Sequence, residues 1–356
     1  LFVFFGCKAD QKCAFIEHDN KLEFNIEIPQ SDSYTIASEI VRNGKFVGFV
    51  GYNEANHSID VFEDGQFKGM IKLSFEGPQS IDEIRGVKAY AEDEFIIISR
   101  YIIRTVRLTG EILEEVNIST SDATTISGLD MSKYHPTVKP QLGKDFYYDA
   151  PTGDLYVPLN NFEYPEQVSI EEFMPGEWFV AIVNVKNGAS RYIEVDYPEF
   201  LAENLYGSLA SVNITFDGKR RMFFGFDGFP DIFIYDLKNK LLQHTANRKP
   251  GDNIPPLVNL DDTSGYIEGK NVYENLLFNP IDNKLYQIAF KPGSEKYYDS
   301  YLRAFDDEGA FIAEIKIGPT VNVLSNLSAS SGIYVQDMLV EEDIIRYVHI
   351  EMECEN

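Results

Sequence analysis

The sequence is poor in the residues that build covalent or metal-bound chemistry. Its 356 residues contain three cysteines, Cys7, Cys13 and Cys354. They assemble neither a disulfide framework nor the paired spacing of a zinc-thiolate site. The five histidines, His18, His57, His135, His244 and His349, form no His-x-x-x-His or His-Glu-x-x-His pair, so no zinc-enzyme signature is present. A Gly-x-Ser-x-Gly elbow is missing, as is a Gly-rich loop ending in Lys-Ser or Lys-Thr, which removes the minimum parts of an esterase and of a phosphate-binding loop. No run of 18 or more apolar residues occurs, so the sequence carries no membrane-spanning helix. Positive charge is scarce: 31 Lys and Arg stand against 57 Asp and Glu, a net charge of −26. That balance opposes binding of nucleic acid or anionic lipid through the body of the protein, and fits a solvated surface that maintains solubility.

Aromatic residues are abundant instead, with 26 Phe and 21 Tyr, and they favour strands. The stretch Ser58 to Leu73, SIDVFEDGQFKGMIKL, shows how they are used. Ile59, Val61, Phe67, Gly69 and Ile71 recur at two-residue spacing around Glu63-Asp64-Gly65, which reads as two half-buried strands joined by a tight turn. One hairpin is barely stable alone, so it requires others like it.

The chain supplies them in phase. The first unit places FVGFVGY (46–52) as an inner strand ahead of that hairpin. The second runs from Val87 to Ile118, with a turn at Thr109-Gly110. The third starts at Phe146 and, after a long insertion, ends in WFVAIVNV and SRYIEV across Asn187-Gly188. The fourth covers Ser211 to Thr245, and the fifth Leu276 to Ile317, with a turn at Glu308-Gly309. A sixth is incomplete, offering GIYVQDMLV and DIIRYVHIEM. Near the front, KLEFNIEI (21–28) alternates strictly and is left without a partner. Pairing it beside DIIRYVHIEM closes a ring, so the expected architecture is all-β: a six-bladed β-propeller of about four strands per blade, sealed by an N-terminal strand. Residues 21–356 form a single propeller domain in this reading, and residues 1–20 precede it. A β-sandwich competes, but a chain of this length would need several, with linkers whose composition is not visible.

Residues 1–20 begin LFVFFGCKADQKC, an apolar run ending at Cys7, followed by a polar stretch without periodicity. Phe4-Phe5-Gly6-Cys7 is similar to a bacterial lipobox at the end of a truncated signal peptide, with Cys7 acylated as the mature N-terminus and a tether after it. The alternative is an apolar strand with a buried cysteine.

The Phe5-Gly6-Cys7 segment and its tether, aromatic hairpins such as SIDVFEDGQF and YLRAFDDEGAF, and turns such as FNPIDNKLY resemble the acidic propeller lipoproteins of unassigned function widespread in Bacteroidota. The resemblance covers nearly the whole chain and implies a six-bladed propeller exported to the cell envelope. It implies a lipid tether through Cys7 and no established activity.

Candidate site residues follow from the expected fold. Starts of inner strands offer Asp145, Asn213, Glu274 and Asn275, oxygen ligands able to hold Ca²⁺ in a central channel; ordinary polar strand ends would look the same. Phe162, Tyr164, Phe173 and Trp178 flank a Glu- and Pro-rich insertion and suit a glycan or peptide, unless they belong to the core. Cys13 precedes the first strand and Cys354 follows the last, so ring closure brings their backbones toward bridging distance. Three functions are expected in order: a non-enzymatic, lipid-anchored envelope protein binding a peptide, protein or glycan through its loop face; a Ca²⁺-dependent hydrolase or lactonase-like enzyme at the channel; and a structural part of an envelope assembly. No catalytic residue can be named, and membrane contact is expected through the N-terminal lipid alone.

Overall fold

Leu22 and Phe24 turn inward between exposed Lys21 and Glu23, the two-residue period of a half-buried strand. They lie in β1 (Cys13–Asn25), which begins at Cys13 rather than at Lys21. The structure, a computed structural model, describes residues 13–25, 34, 36–42, 45–77, 80–81, 83–99, 102–117, 125–126, 129–130, 134–136, 146–161, 178–195, 212–239, 241–245, 269–293, 298–318, 321–328, 331–337 and 344–354. Among them every regular element is a strand, and no helix is long and apolar enough to cross a membrane.

The first blade contains β2 (Ala37–Arg42), β3 (Lys45–Asn53), β4 (Ser58–Glu63) and β5 (Gln66–Lys72), paired antiparallel in that order. The second repeats the scheme with β6 (Gly86–Ala89), β7 (Glu94–Ile98), β8 (Ile102–Arg107) and β9 (Ile112–Asn117). A small ladder, β10 (Thr125–Ile126) with β11 (Leu129–Asp130), and the short β12 (Tyr134–Pro136) come next. The third blade is β13 (Tyr147–Asp149), β14 (Asp154–Asn161), β15 (Trp178–Asn184) and β16 (Ser190–Val195), with β12 also paired to β14. Blades four and five are β17 (Val212–Phe216) to β20 (Leu241–Thr245) through β18 (Arg221–Phe226) and β19 (Phe229–Asp236), then β21 (Val272–Asn279), β22 (Lys284–Pro292), β23 (Tyr298–Phe305) and β24 (Phe311–Lys316). The sixth has β25 (Val321–Ser328), β26 (Ile333–Asp337) and β27 (Ile344–Cys354), and β1 supplies its outer strand. Leu22 lies opposite Tyr347 and Phe24 opposite Ile345. The ring is a six-bladed propeller closed by the two ends of the chain.

The turn at Asp64-Gly65 has positive φ at both residues, 53° and 73°, the backbone that joins right-twisted strands in a two-residue hairpin. The first unit differs from the sequence expectation in phase. FVGFVGY is the second strand of its blade, and the inner strand is ASEIVR, β2. Likewise β25 completes the sixth blade ahead of GIYVQDMLV.

Six clusters of buried apolar residues are described, and each bridges two adjacent blades. Phe24, Phe49, Phe62 and Tyr347 knit the sixth blade to the first; Phe223, Phe278, Leu285 and Phe305 knit the fourth to the fifth. In the first of these, Phe49 and Phe62 stack at 4.8 Å and Phe24 meets Phe49 edge-on at 5.1 Å. Burial of each such ring contributes roughly 1.5–3 kcal/mol, so the core of the molecule is its set of seams. Close approach accompanies them. A Cβ on Gly86 would lie 2.3 Å from the Phe146 ring of the neighbouring blade.

Candidate functional site: one end of the channel

The innermost strands stand side by side around the axis. β2 lies against β6 and β25, and β17 against β21. Tyr147 of the third blade reaches the fourth, its hydroxyl donating to the Gly218 carbonyl at 2.6 Å. Asn279 Nδ2 donates to the Gly332 carbonyl at 2.8 Å and links the fifth blade to the sixth.

Five of these inner strands line a cavity of about 260 Å³: β6, β17 and β21 near their last residues, β2 through Ser38, Glu39 and Val41, and β13 through Tyr147 with Phe146 just before it. Phe146, Phe216, Leu277, Phe278 and Ile281 supply apolar walls, and Ser38, Glu39, Lys88 and Thr215 the polar groups. Thr215 Oγ1 already accepts a hydrogen bond from the Phe278 amide at 3.0 Å. Lys88 is crowded by protein and open to solvent through the cavity. Desolvation holds its ammonium below the usual lysine range, while the charge of Glu39 pulls the other way. Its Nζ lies 5.9 Å from the centre of the Phe146 ring. Burial, and then the charge of Asp149, push the Tyr147 hydroxyl up to about 12, so it stays a neutral donor. Apolar walls beside a cation such as Lys88 bind a ring or aliphatic group carrying an anionic or polar end.

Lys88 and Glu39 escaped the sequence reading because they come from different blades. The signal available was a charged residue on an innermost strand, where solvated positions are few.

Of the expected oxygen ligands, Asn213 is buried on β17, its Nδ2 donating to Asp227 Oδ1 at 2.8 Å and to the Tyr273 carbonyl at 3.0 Å. Among the described residues its Oδ1 has no partner, and neither side-chain polar atom of buried Asn275 on β21 has one. Asn275 also has a positive φ of 58°, within an irregular stretch of ladder between Glu274 and Leu277. Glu274 is half-buried. Among the described residues, no three His, Cys, Asp or Glu side chains converge as a metal site. Trp178 opens β15 opposite Val195. Cys7, Asp145, Phe162, Tyr164 and Phe173 lie outside the described residues. Cys13 and Cys354 are direct partners in the β1–β27 ladder.

These features define a class: a six-bladed β-propeller whose inner strands line a small, mostly apolar cavity. The chain belongs to the family described as a domain of unknown function, DUF4221, whose model matches residues 48–316, from β3 to the end of β24. It is similar to a solved member of that family from Bacteroides vulgatus, at 14% identity and a TM-score of 0.73, over 97% of this chain and 100% of that one. A Bacteroides fragilis protein described as exported matches with 13% identity and a TM-score of 0.54, over 99% and 98% of the two chains. A luciferin-regenerating enzyme is more distant, at 11% identity and a TM-score of 0.48 over 93% and 95%. No curated protein matches.

Proposed function

We propose that this protein is a non-catalytic, lipid-anchored binding propeller of the bacterial envelope, which holds a peptide or protein segment by seating one apolar side chain in the channel cavity. The observation that carries the reading is the cavity itself. Its walls are largely apolar and aromatic, its volume of about 260 Å³ suits one side chain, and Lys88 is the cation that lines it among the described residues. A glycan fits less well, because it needs many convergent hydrogen-bonding groups, and Thr215 is already engaged with backbone. The Cys7 lipobox supports the anchor and the envelope location.

The test is a random peptide library panned against the immobilised protein and against an Ala89→Trp variant, in which an indole occupies the cavity. Retention of aromatic or aliphatic peptides by the wild type, weakened at least tenfold by Ala89→Trp, is expected. Equal retention by both proteins would remove the cavity from the function.

A second reading, a Ca²⁺-dependent hydrolase, is favoured by one observation. The Oδ1 atoms of Asn213 and Asn275, without a partner among the described residues, lie on neighbouring inner strands. Buried amide oxygens in this state are satisfied by water or by a hard cation. A calcium titration by calorimetry separates the two, since absence of heat and an unchanged unfolding midpoint would leave water as the partner.

A further inference from the structure

The ladder that closes the ring ends on a rung made of two cysteines. β1 and β27 run antiparallel with Phe15 opposite Met352, Ala14 opposite Glu353 and Cys13 opposite Cys354. Directly opposed residues of an antiparallel pair have Cα atoms about 4.5 or 5.5 Å apart, depending on the rung type. Both separations fall within the ~4.4–6.8 Å that disulfides span. Opposed positions also share a face of the sheet, so neither register nor direction has to change for a bond to form. Two residues along the ladder, the rung of Phe15 and Met352 joins the apolar cluster between the fifth and sixth blades.

We infer that Cys13 and Cys354 form a disulfide that clasps the propeller where its first and last strands meet. The chain has three cysteines in all, and two of them occupy one rung of the one ladder that joins its ends. The position has a mechanical meaning that rests on the lipid-anchor reading. Cys13 is six residues beyond Cys7, so a pull from the tether would arrive at the first residue of β1 and peel it rung by rung. A covalent link at the first rung stops that motion before any hydrogen bond of the ladder is loaded. It also restricts the unfolded chain, since it closes a loop that contains nearly every residue.

The chemistry is disulfide exchange with a low-molecular-weight disulfide such as oxidised glutathione. One thiolate attacks a sulfur of the oxidant and expels one equivalent of its thiol, leaving a mixed disulfide. The second thiolate attacks the protein sulfur of that bond and expels the other. Two thiols of the protein are oxidised, and one disulfide of the reagent is reduced to two thiols.

The test uses the full chain with Cys7→Ser, so that two thiols remain. The protein is equilibrated natively with oxidised glutathione, quenched with iodoacetamide and digested without reductant. The expected result is loss of both alkylation sites and a peptide joining the start of β1 to the end of β27. The unfolding midpoint should fall by roughly 5 °C or more on reduction. Cys13→Ser should leave Cys354 alkylated and the midpoint indifferent to reductant. Alkylation of both cysteines, or a glutathione adduct on each in place of the joined peptide, would overturn the inference, as would a reductant response that persists in Cys13→Ser. Membrane attachment is not read in this experiment, so failure of the anchor would leave its outcome intact.

Discussion

Arg221 on β18 ties the fourth blade to the fifth through Asp307: its Nη2 lies 3.2 Å from Asp307 Oδ2 and its Nη1 donates to the Asp307 carbonyl at 2.8 Å. On its own blade, Nε donates to Asp217 Oδ2 at 2.9 Å. Asp217 also accepts the amides of Lys219, Arg220 and Arg221. Burial disfavours the Asp217 carboxylate, yet the Arg221 side chain and these amides outweigh it and hold the group below the usual carboxylate range.

Arg221→Met should therefore destabilise the fold by about 2 kcal/mol, because Asp217 is nearly buried and loses a charged donor. Asp307→Asn should cost only about 0.5 kcal/mol, its side chain being 36% exposed. Urea unfolding of the two variants checks the order. The share due to Asp217 is complete above about pH 4 and is lost as pH falls through its depressed value.

Asp60 has no exposed surface and is held by three donors: Tyr34 Oη at 2.7 Å, Asn53 Nδ2 at 2.9 Å and Ser58 Oγ at 2.8 Å. Asp60→Ala strands all three in the first blade and should cost about 3–5 kcal/mol. Chemical denaturation is the measurement, and a loss below about 1 kcal/mol would contradict the network.

Alkaline pH should unfold the protein through its tyrosines. Burial, followed by the charge of Asp60, raises Tyr34, and burial with Asp282 raises Tyr286 in the same way. Tyr147 is pushed up to about 12. Raised folded values stabilise fully below about pH 10 and lose that contribution as pH climbs through them. Titration at 295 nm should show exposed tyrosines ionising near pH 10 and a later block ionising together with loss of the β signal. A single smooth curve for all 21 with the fold intact would be the contrary result.

Gly86→Ala places a methyl against the Phe146 ring and should cost about 1–3 kcal/mol. Pairing it with Phe146→Leu should recover part of that loss. No recovery in the double variant would mean that the strain lies elsewhere.

The anchor is tested in the native host. Cys7→Ser should release the protein from the membrane fraction or leave it unprocessed, and unchanged fractionation would count against lipid attachment at Cys7.

Ring closure was readable in the sequence because β1 is half-buried. Leu22 and Phe24 alternate with charged residues, and that alternation has one use. The Asp64-Gly65 turn was readable because few residue pairs tolerate its backbone. Strand β2 was not. Packed between its own blade and its neighbours, ASEIVR is buried at three of six positions, Ala37, Ser38 and Ile40, which fall on both faces, and shows no alternation. The same holds for the site. Lys88 and Glu39 meet because blades one and two adjoin, which no local spacing records, whereas Asn213 and Asn275 could be put forward because inner-strand starts could be placed.

The β1–β27 pairing also sets a schedule for synthesis. Strand β1 leaves the ribosome early, but its partner follows roughly 300 residues later, on the order of tens of seconds at ~5–20 residues per second. Through that interval the fringe of apolar residues on β1 has no native surface to cover it. Export in an unfolded state would remove the delay, since both ends then reach the folding compartment before the ring has to choose its last strand.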